Sequence, residues 1–403
     1  MQRPLEGGNK AISLRMRRLI GDIQIEHDEG NNLVKYPDNL DYLQKCLTNF
    51  KPSIYKNLKE HFSQEYGINE SEVKILPKAT GQQVGAKIVI PDSANPGKLK
   101  TFYVKSHQEF SSKSHPQLGT RTSNGLGFVD LKELFMYKVL EKVGYGPKVE
   151  FAIDKDVAGS RVEEGIMIIT QDSGYTKSPE LKQKSFRDFK DIKDGINPDL
   201  VSPETRRDLI AIDMLSRVFC LGDVMVNEGN FGRVDRVDLQ TKELMPEKWK
   251  ILDFTAPKVA KGKEHLGEQK YLYGPYYGSD RVSIDHGFKT GNFSHDYQEE
   301  SPVSKILRSK ETKDLWEKTL SDLDTGKSER KSGLKEAINQ SFEEIMQFLQ
   351  RNNDKLALED RDSGQYKEQT QRRVTDLNAY RQCALINYRD LVQGMQQTKT
   401  VSK

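Results

Sequence analysis

The sequence predicts an α+β protein in two lobes, a β-rich lobe followed by a mainly helical one, with further helices before and after. Three observations carry that class. Short β-type runs separated by Gly, Pro, Asn and Asp fill the stretch from Val73 to Thr170 around one amphipathic helix. A strongly apolar helix, Arg206 to Leu221, then opens a second region, and beyond Ser301 the pattern is mainly helical. At 403 residues the chain is long enough for two lobes or two to three domains. The expected division is a helical extension over 1–70, a β-rich lobe over 71–174, a helical lobe over 175–325 and a C-terminal helical region over 326–403.

In order, helical patterns are expected near Leu40 to Phe50 and over Pro52 to Tyr66, where Pro52 suits a first helical turn. Strands are expected at Val73 to Leu76, Ala86 to Ile90 and Leu99 to Lys105. A long Ser, His and Gly-rich loop over Ser106 to Phe128 leads to Asp130. The helix that follows has apolar residues at Leu131, Leu134, Phe135, Val139 and Val143, and Gly144, Gly146 and Pro147 stop it. Val149 to Ile153 and Gly165 to Thr170 complete the first set of strands. Tyr175 to Pro203 reads as a polar linker with at most a short helix around Phe186 to Ile192. After the helix Arg206 to Leu221 come a loop, Gly222 to Asn230, and two strands, Phe231 to Val234 and Trp249 to Phe254. The last helices are Glu311 to Leu323, Leu334 to Gln350 and Gln369 to Gln393. Apolar spacing at Leu334, Ile338, Phe342, Ile345 and Leu349 marks a packing face, with a partner or lipid-headgroup module as the alternative.

Composition removes several function classes. Lys and Arg number 63 against 60 Asp and Glu, a net charge of +3 that does not argue for nucleic-acid binding. Charged residues at 31% and a mean hydropathy of -0.74 point to a soluble chain with a polar surface. The most apolar stretch, Leu209 to Val226, is interrupted by Asp213, Arg217 and Asp223, so no transmembrane segment is expected. No signal peptide is expected either, because Arg15, Arg17, Arg18 and Asp22 break the first hydrophobic residues. Cys46, Cys220 and Cys383 are three widely separated cysteines, which fits a reducing, cytosolic site of action.

The residues that carry chemistry follow an order suited to phosphoryl transfer, which needs a carboxylate for the acceptor, Asp or Asn metal ligands and a cation for the phosphates. Lys105 ends the β-type run Thr-Phe-Tyr-Val-Lys, and Glu133 lies on the next helix. Asp223 follows the apolar helix in Leu-Gly-Asp-Val-Met-Val-Asn-Glu-Gly-Asn-Phe-Gly, whose Asn230 precedes a strand. Asp253 sits in Lys-Ile-Leu-Asp-Phe among apolar neighbours, where a carboxylate is costly unless paired or metal-bound. Thr80-Gly81-Gln82-Gln83-Val84-Gly85 offers two glycines where backbone N–H groups can cradle phosphate.

Over Val73 to Asp253 these landmarks resemble the protein kinase superfamily, and most closely the atypical kinases delivered into host cells by Legionella-type secretion systems. The resemblance implies a two-lobed protein-kinase-like fold, a β-rich N-lobe and a mainly helical C-lobe plus extra N- and C-terminal helices, with ATP and Mg2+ or Mn2+ between the lobes. Lys105 would hold nucleotide phosphates, fixed by Glu133; Gly81 and Gly85 would form the phosphate loop. The segment Met167 to Asp172, with Ile169 and Gln171, would contact adenine. Asp223 would act as the catalytic carboxylate on a protein acceptor, and Asn230 and Asp253 would hold the metal, with Asn227 as a rival ligand. Activation by a host inositol polyphosphate such as inositol hexakisphosphate is a further expectation. Its site would be the basic run Lys258, Lys261, Lys263, His265 and Lys270, which also suits a phosphoinositide head group at a host membrane.

The chain departs from the family pattern in stated places. Leu221-Gly222 stands where His-Arg precedes the catalytic Asp, Asn230 comes seven positions after Asp223 (230 − 223) rather than about five, and Thr255 replaces the Gly after Phe254. Plainer readings stand beside the functional ones. Glu133 is the reciprocal acid of a helix cap, Lys105 a solvated strand end, Asp223 and Asn230 turn residues, and the basic run a solvated loop. A pseudokinase, a phosphoinositide-binding adaptor or a lipid or small-molecule kinase are the alternatives in function.

Overall fold

The computed structural model describes residues 26–27, 34–35, 52–77, 83–109, 121–122, 130–153, 166–173, 181–182, 186–189, 196–221, 224, 229–238, 240–241, 244–254, 256, 305–307, 309–326, 332–352 and 363–401. The class is α+β. The chain divides into two compact units, one taking residues to Val129 and Glu150–Gln171, the other Asp130–Val149 and everything from Asp172 onward. The helix expected near Leu40 to Phe50 lies outside the described residues.

The first unit is built on an antiparallel sheet of β1 (Lys74–Pro77), β2 (Gln83–Pro91), β3 (Leu99–Glu109), β4 (Val149–Ile153) and β5 (Ile166–Gln171), ordered β1-β2-β3-β5-β4. Helix α1 (Pro52–Tyr66) covers one face. Its buried Tyr55, Leu58 and Phe62 repeat at helical spacing and pack on Ile75, Ile88, Ile90, Phe102, Val104, Met167 and Ile169. Phe62 meets Phe102 edge-on at 5.0 Å between ring centroids. The β2–β3 hairpin is closed by Asp92, which accepts from Ala94 N at 3.1 Å and Asn95 Nδ2 at 2.8 Å and pairs with Lys100 at 2.9 Å. Strand β3 runs four residues past the expected end at Lys105, and Arg121–Thr122 pairs with its far end. Part of the expected loop over Ser106 to Phe128 is therefore sheet.

In the second unit, α2 (Leu131–Lys142) is buried on nearly every side rather than along one stripe. Asp130 caps it by accepting from Lys132 N at 3.0 Å. Lys132 itself is buried, with its ammonium 2.6 Å from Asp376 and 3.4 Å from Asp130. Burial works to lower its pKa, but the two carboxylates outweigh that and hold it above the ordinary lysine value. The helix stops where expected: Gly144 adopts φ 80, and a Cβ on Gly146 would lie 2.7 Å from the Leu140 Cβ.

Helix α3 (Pro203–Val218) starts earlier than Arg206, because Ser202 caps it at 3.2 Å to Thr205 N and Pro203 takes the first turn. Ser202→Ala is expected to cost about 1 kcal/mol by urea unfolding, and an unchanged midpoint would remove the cap from the account. The two charges that interrupt this apolar helix, Asp213 and Arg217, pair with each other at 3.0 Å with 2% and 4% of their side chains exposed. No helix among the described residues is long and apolar enough to cross a membrane.

A second sheet pairs β6 (Phe186–Asp188), β7 (Phe231–Asp238) and β8 (Leu244–Ile251) in that order, with Leu181–Lys182 also on β7. The helix expected around Phe186 is thus a strand. Pairing of Phe186 with Val234 and Asp188 with Gly232 wins over local polarity, and the next residue, Phe189, stacks on Phe231 at 5.0 Å. The second corrected element is β8, which ends at Ile251, so Asp253 and Phe254 follow the strand instead of lying in it.

Helices α4 (Lys310–Thr325), α5 (Leu334–Arg351) and α6 (Ser363–Val401) complete the unit. They pack on α2 and α3. Tyr388 Oη donates to Asp324 at 2.7 Å, Arg381 Nη2 to Asn339 at 2.7 Å, and Lys142 pairs with Glu344 at 2.6 Å. Tyr380 packs edge-on against Phe135 of α2.

Candidate functional site

On the sheet of the first unit, residues directly opposite one another share a face and neighbours along a strand alternate. Lys105 faces Gly85 on β2 and Ile168 on β5, so these three occupy one face, together with Tyr103 and Thr170. Val104 faces Ala86 and Ile169, and these lie on the other face, under α1. Lys105 is therefore held on the face that α1 leaves uncovered. The ladder between β2 and β3 is irregular between Gln83 and Gly85, where the expected phosphate loop ends. Gly81 lies outside the described residues.

Ile169 lies in the core beneath α1, and Ile168 beside it is equally buried, both 0% exposed. Ile168 is the residue on the Lys105 face. Gln171, opposite Phe102, is partly exposed at the end of β5.

The second unit assembles the Asn230 and Asp253 candidates. β7 and β8 pair in register from Phe231 to Ile251, which brings the residue before one strand beside the residues after the other. The Asn230 carbonyl accepts from both Leu252 N, at 2.8 Å, and Asp253 N, at 3.2 Å. Asn230 is buried, 6% exposed, whereas Asp253 is exposed and accepts from Phe254 N at 3.1 Å. The burial argument for Asp253 thus does not hold. Its neighbours Ile251 and Phe254 are buried, and the chain turns the carboxylate outward between them.

Tyr137 holds the same segment from α2, a role that the sequence did not reveal. Its hydroxyl donates to Leu252 O at 3.2 Å and its ring lies 4.7 Å from that of Phe254. Glu133, buried, stands one helical turn before Tyr137 and so on the same side of α2. Asp223, Asn227, Lys258, Lys261, Lys263, His265 and Lys270 lie outside the described residues.

An amide oxygen and a carboxylate are hard ligands of the kind Mg2+ and Mn2+ take, and Mg2+ is ordinarily held by one or two carboxylates together with phosphates and water. The pair Asn230 and Asp253 fits that pattern. Among the described residues no group of three or more His, Cys, Asp or Glu is arranged to hold a metal. An open groove of about 440 Å3 at the end of α4 and start of α5 contains none of the candidate residues.

No protein-family model matches the chain, and no curated protein does. Two solved structures are similar to it. One is the Rio2 kinase of Chaetomium thermophilum as an ADP/Mg2+-phosphoaspartate complex, at 14% identity and a TM-score of 0.31, covering 85% of this chain and 87% of that one. The other is the Rio2 kinase of the same organism, at 13% identity and a TM-score of 0.33, covering 83% and 86%.

Proposed function

We propose that this chain is an atypical, two-lobed, protein-kinase-like phosphotransferase that uses ATP with Mg2+ or Mn2+ and phosphorylates a protein acceptor. One observation carries the reading: the Asn230 carbonyl accepts from the Leu252 and Asp253 amides, so the two residues that the chemistry of phosphoryl transfer singles out as metal ligands are joined through their backbones. Strand order supports it as well. Lys105 is on the third strand of the antiparallel sheet and Glu133 on the helix that follows, the order in which kinases carry the phosphate lysine and its acidic partner.

In this reading the ammonium of Lys105 holds nucleotide phosphate oxygens, and Glu133 is assigned as its counter-charge by sequence order. Asn230 and Asp253 hold the divalent cation, which when bound neutralises charge on the phosphates. Asp223 accepts the proton of the acceptor hydroxyl. Tyr137 keeps the Leu252 carbonyl and the Phe254 ring in place, which sets the direction of the Asp253 carboxylate.

The experiment is thermal unfolding with and without ATP and Mg2+. At a ligand concentration 100 times Kd, binding adds about 2.7 kcal/mol of stability, and Lys105→Met is expected to remove the metal-dependent part of that gain. Equal shifts in wild type and variant would take Lys105 out of the site. Inositol hexakisphosphate as a third arm tests the basic run Lys258 to Lys270: stabilisation beyond ATP alone supports it, and none argues against it. Leu221-Gly222 before Asp223 favours one second reading, a nucleotide-binding pseudokinase or adaptor, which predicts the same ATP shift without phosphate transfer.

A further inference from the structure

Helix α3 ends in a way that its own sequence does not explain. The last carbonyls of a helix lack partners within it, and burial makes each one that is left unbonded costly. Here every carbonyl from Leu215 to Phe219 has a donor. Phe219 N bonds Leu215 O at 3.0 Å, Leu221 N bonds Ser216 O at 2.8 Å and Cys220 N bonds Arg217 O at 3.3 Å. The last two donors come from α6: Asn387 Nδ2 reaches Val218 O at 3.0 Å and Tyr380 Oη reaches Phe219 O at 2.7 Å.

The turn so held is a Schellman ending whose left-handed position is occupied by Cys220, φ 53, and not by glycine. A side chain in that conformation costs about 1–2 kcal/mol and persists where surrounding contacts over-determine it. Asn387 also lies 3.9 Å from the Cys220 sulfur, and Asn387 and Tyr380 are 3% and 1% exposed. Burial pushes the Tyr380 phenol well up, so it remains a donor. Leu221 and Val224 beyond the turn are fully buried, with Val224 N bonded to Leu221 O at 3.3 Å. Asp223 is the residue between these two anchors in sequence that is assigned to the acceptor.

We infer that Tyr380 and Asn387 are positioning residues for phosphoryl transfer, and that α6 sets the turn Phe219 to Leu221, which precedes Asp223 in sequence. The inference rests on the kinase reading. α6 also holds α2, the helix of Glu133, through Asp376 and Lys132 and through the Tyr380 and Phe135 rings. One helix near the end of the chain therefore braces two elements of the proposed site.

The test is hydrogen exchange and steady-state kinetics on the full chain, with Tyr380→Phe, Asn387→Ala and, as a packing control on the same helix, Leu391→Ala. Tyr380→Phe removes one oxygen and keeps the ring. Amides over 219–224 are expected to exchange at least about 10-fold faster in the first two variants, and not selectively in the control. kcat is expected to fall about 10- to 100-fold in the same two, with KM for ATP within about twofold of wild type. Unchanged exchange over 219–224 overturns the inference, and so does faster exchange with unchanged kcat. A wild type that transfers no phosphate sinks the kinase reading instead, and exchange alone then decides whether α6 sets the turn.

Discussion

Asp253→Ala is expected to lower the rate of phosphoryl transfer by about 10³-fold while changing stability by no more than about 0.5 kcal/mol. The separation of the two effects comes from where the carboxylate lies. Asp253 is exposed beyond the end of β8, where its carboxylate accepts from the amide of the next residue. Its removal from an exposed position creates no cavity. A kinetic loss therefore reports chemistry, and steady-state rates beside urea unfolding of the same preparation check both halves. A rate within threefold of wild type would remove Asp253 from the metal site. Asn230 does not give so clean a test, because it is buried and its carbonyl holds the segment in place.

The largest effect on stability is expected at Asp213. Asp213→Ala removes the carboxylate that pairs with the buried Arg217 guanidinium, a change of about 3–5 kcal/mol. Adding Arg217→Met to that variant is expected to recover most of the loss, since an apolar side chain of similar length has no charge to strand. Urea unfolding of the single and double variants measures this. A double variant no more stable than Asp213→Ala would mean that the uncompensated charge is not the cause. The pair lies on α3, so the single variant should also loosen the turn Phe219 to Leu221 that closes it.

Much of this architecture can be read from residue pattern because local signals and tertiary packing agree. Pro52 in a first turn and the stripe Tyr55, Leu58, Phe62 define α1 at its observed bounds. Asp130 before an apolar run and glycines after it define α2 in the same way. Other features have no local signal. Ile166 to Ile169 is apolar at every position, so alternation cannot show which of Ile168 and Ile169 shares a face with Lys105; only pairing with β3 decides it. Phe186–Asp188 becomes a strand through β7, which lies far along the chain.

The candidate site divides along the same line. Asn230 and Asp253 are recognisable by type and order, and the β7–β8 register places them together. The exposure of Asp253 was not readable, because apolar neighbours in sequence say nothing of a turn that faces its side chain outward. Tyr137, Tyr380 and Asn387 act through carbonyls of distant residues, and no spacing on their own helices marks that. Each of the three satisfies a backbone carbonyl that its own helix does not contain.

The most direct measurement is transfer of label from ATP by the full chain with Mg2+, using ATP labelled at the γ-phosphate in one reaction and at the α-phosphate in another, with protein and lipid acceptors. Label from the γ-position on a protein acceptor, lost in Asp223→Ala and Asp253→Ala, is the predicted result. Label from the α-position, or γ-label that persists in both variants, would contradict the account.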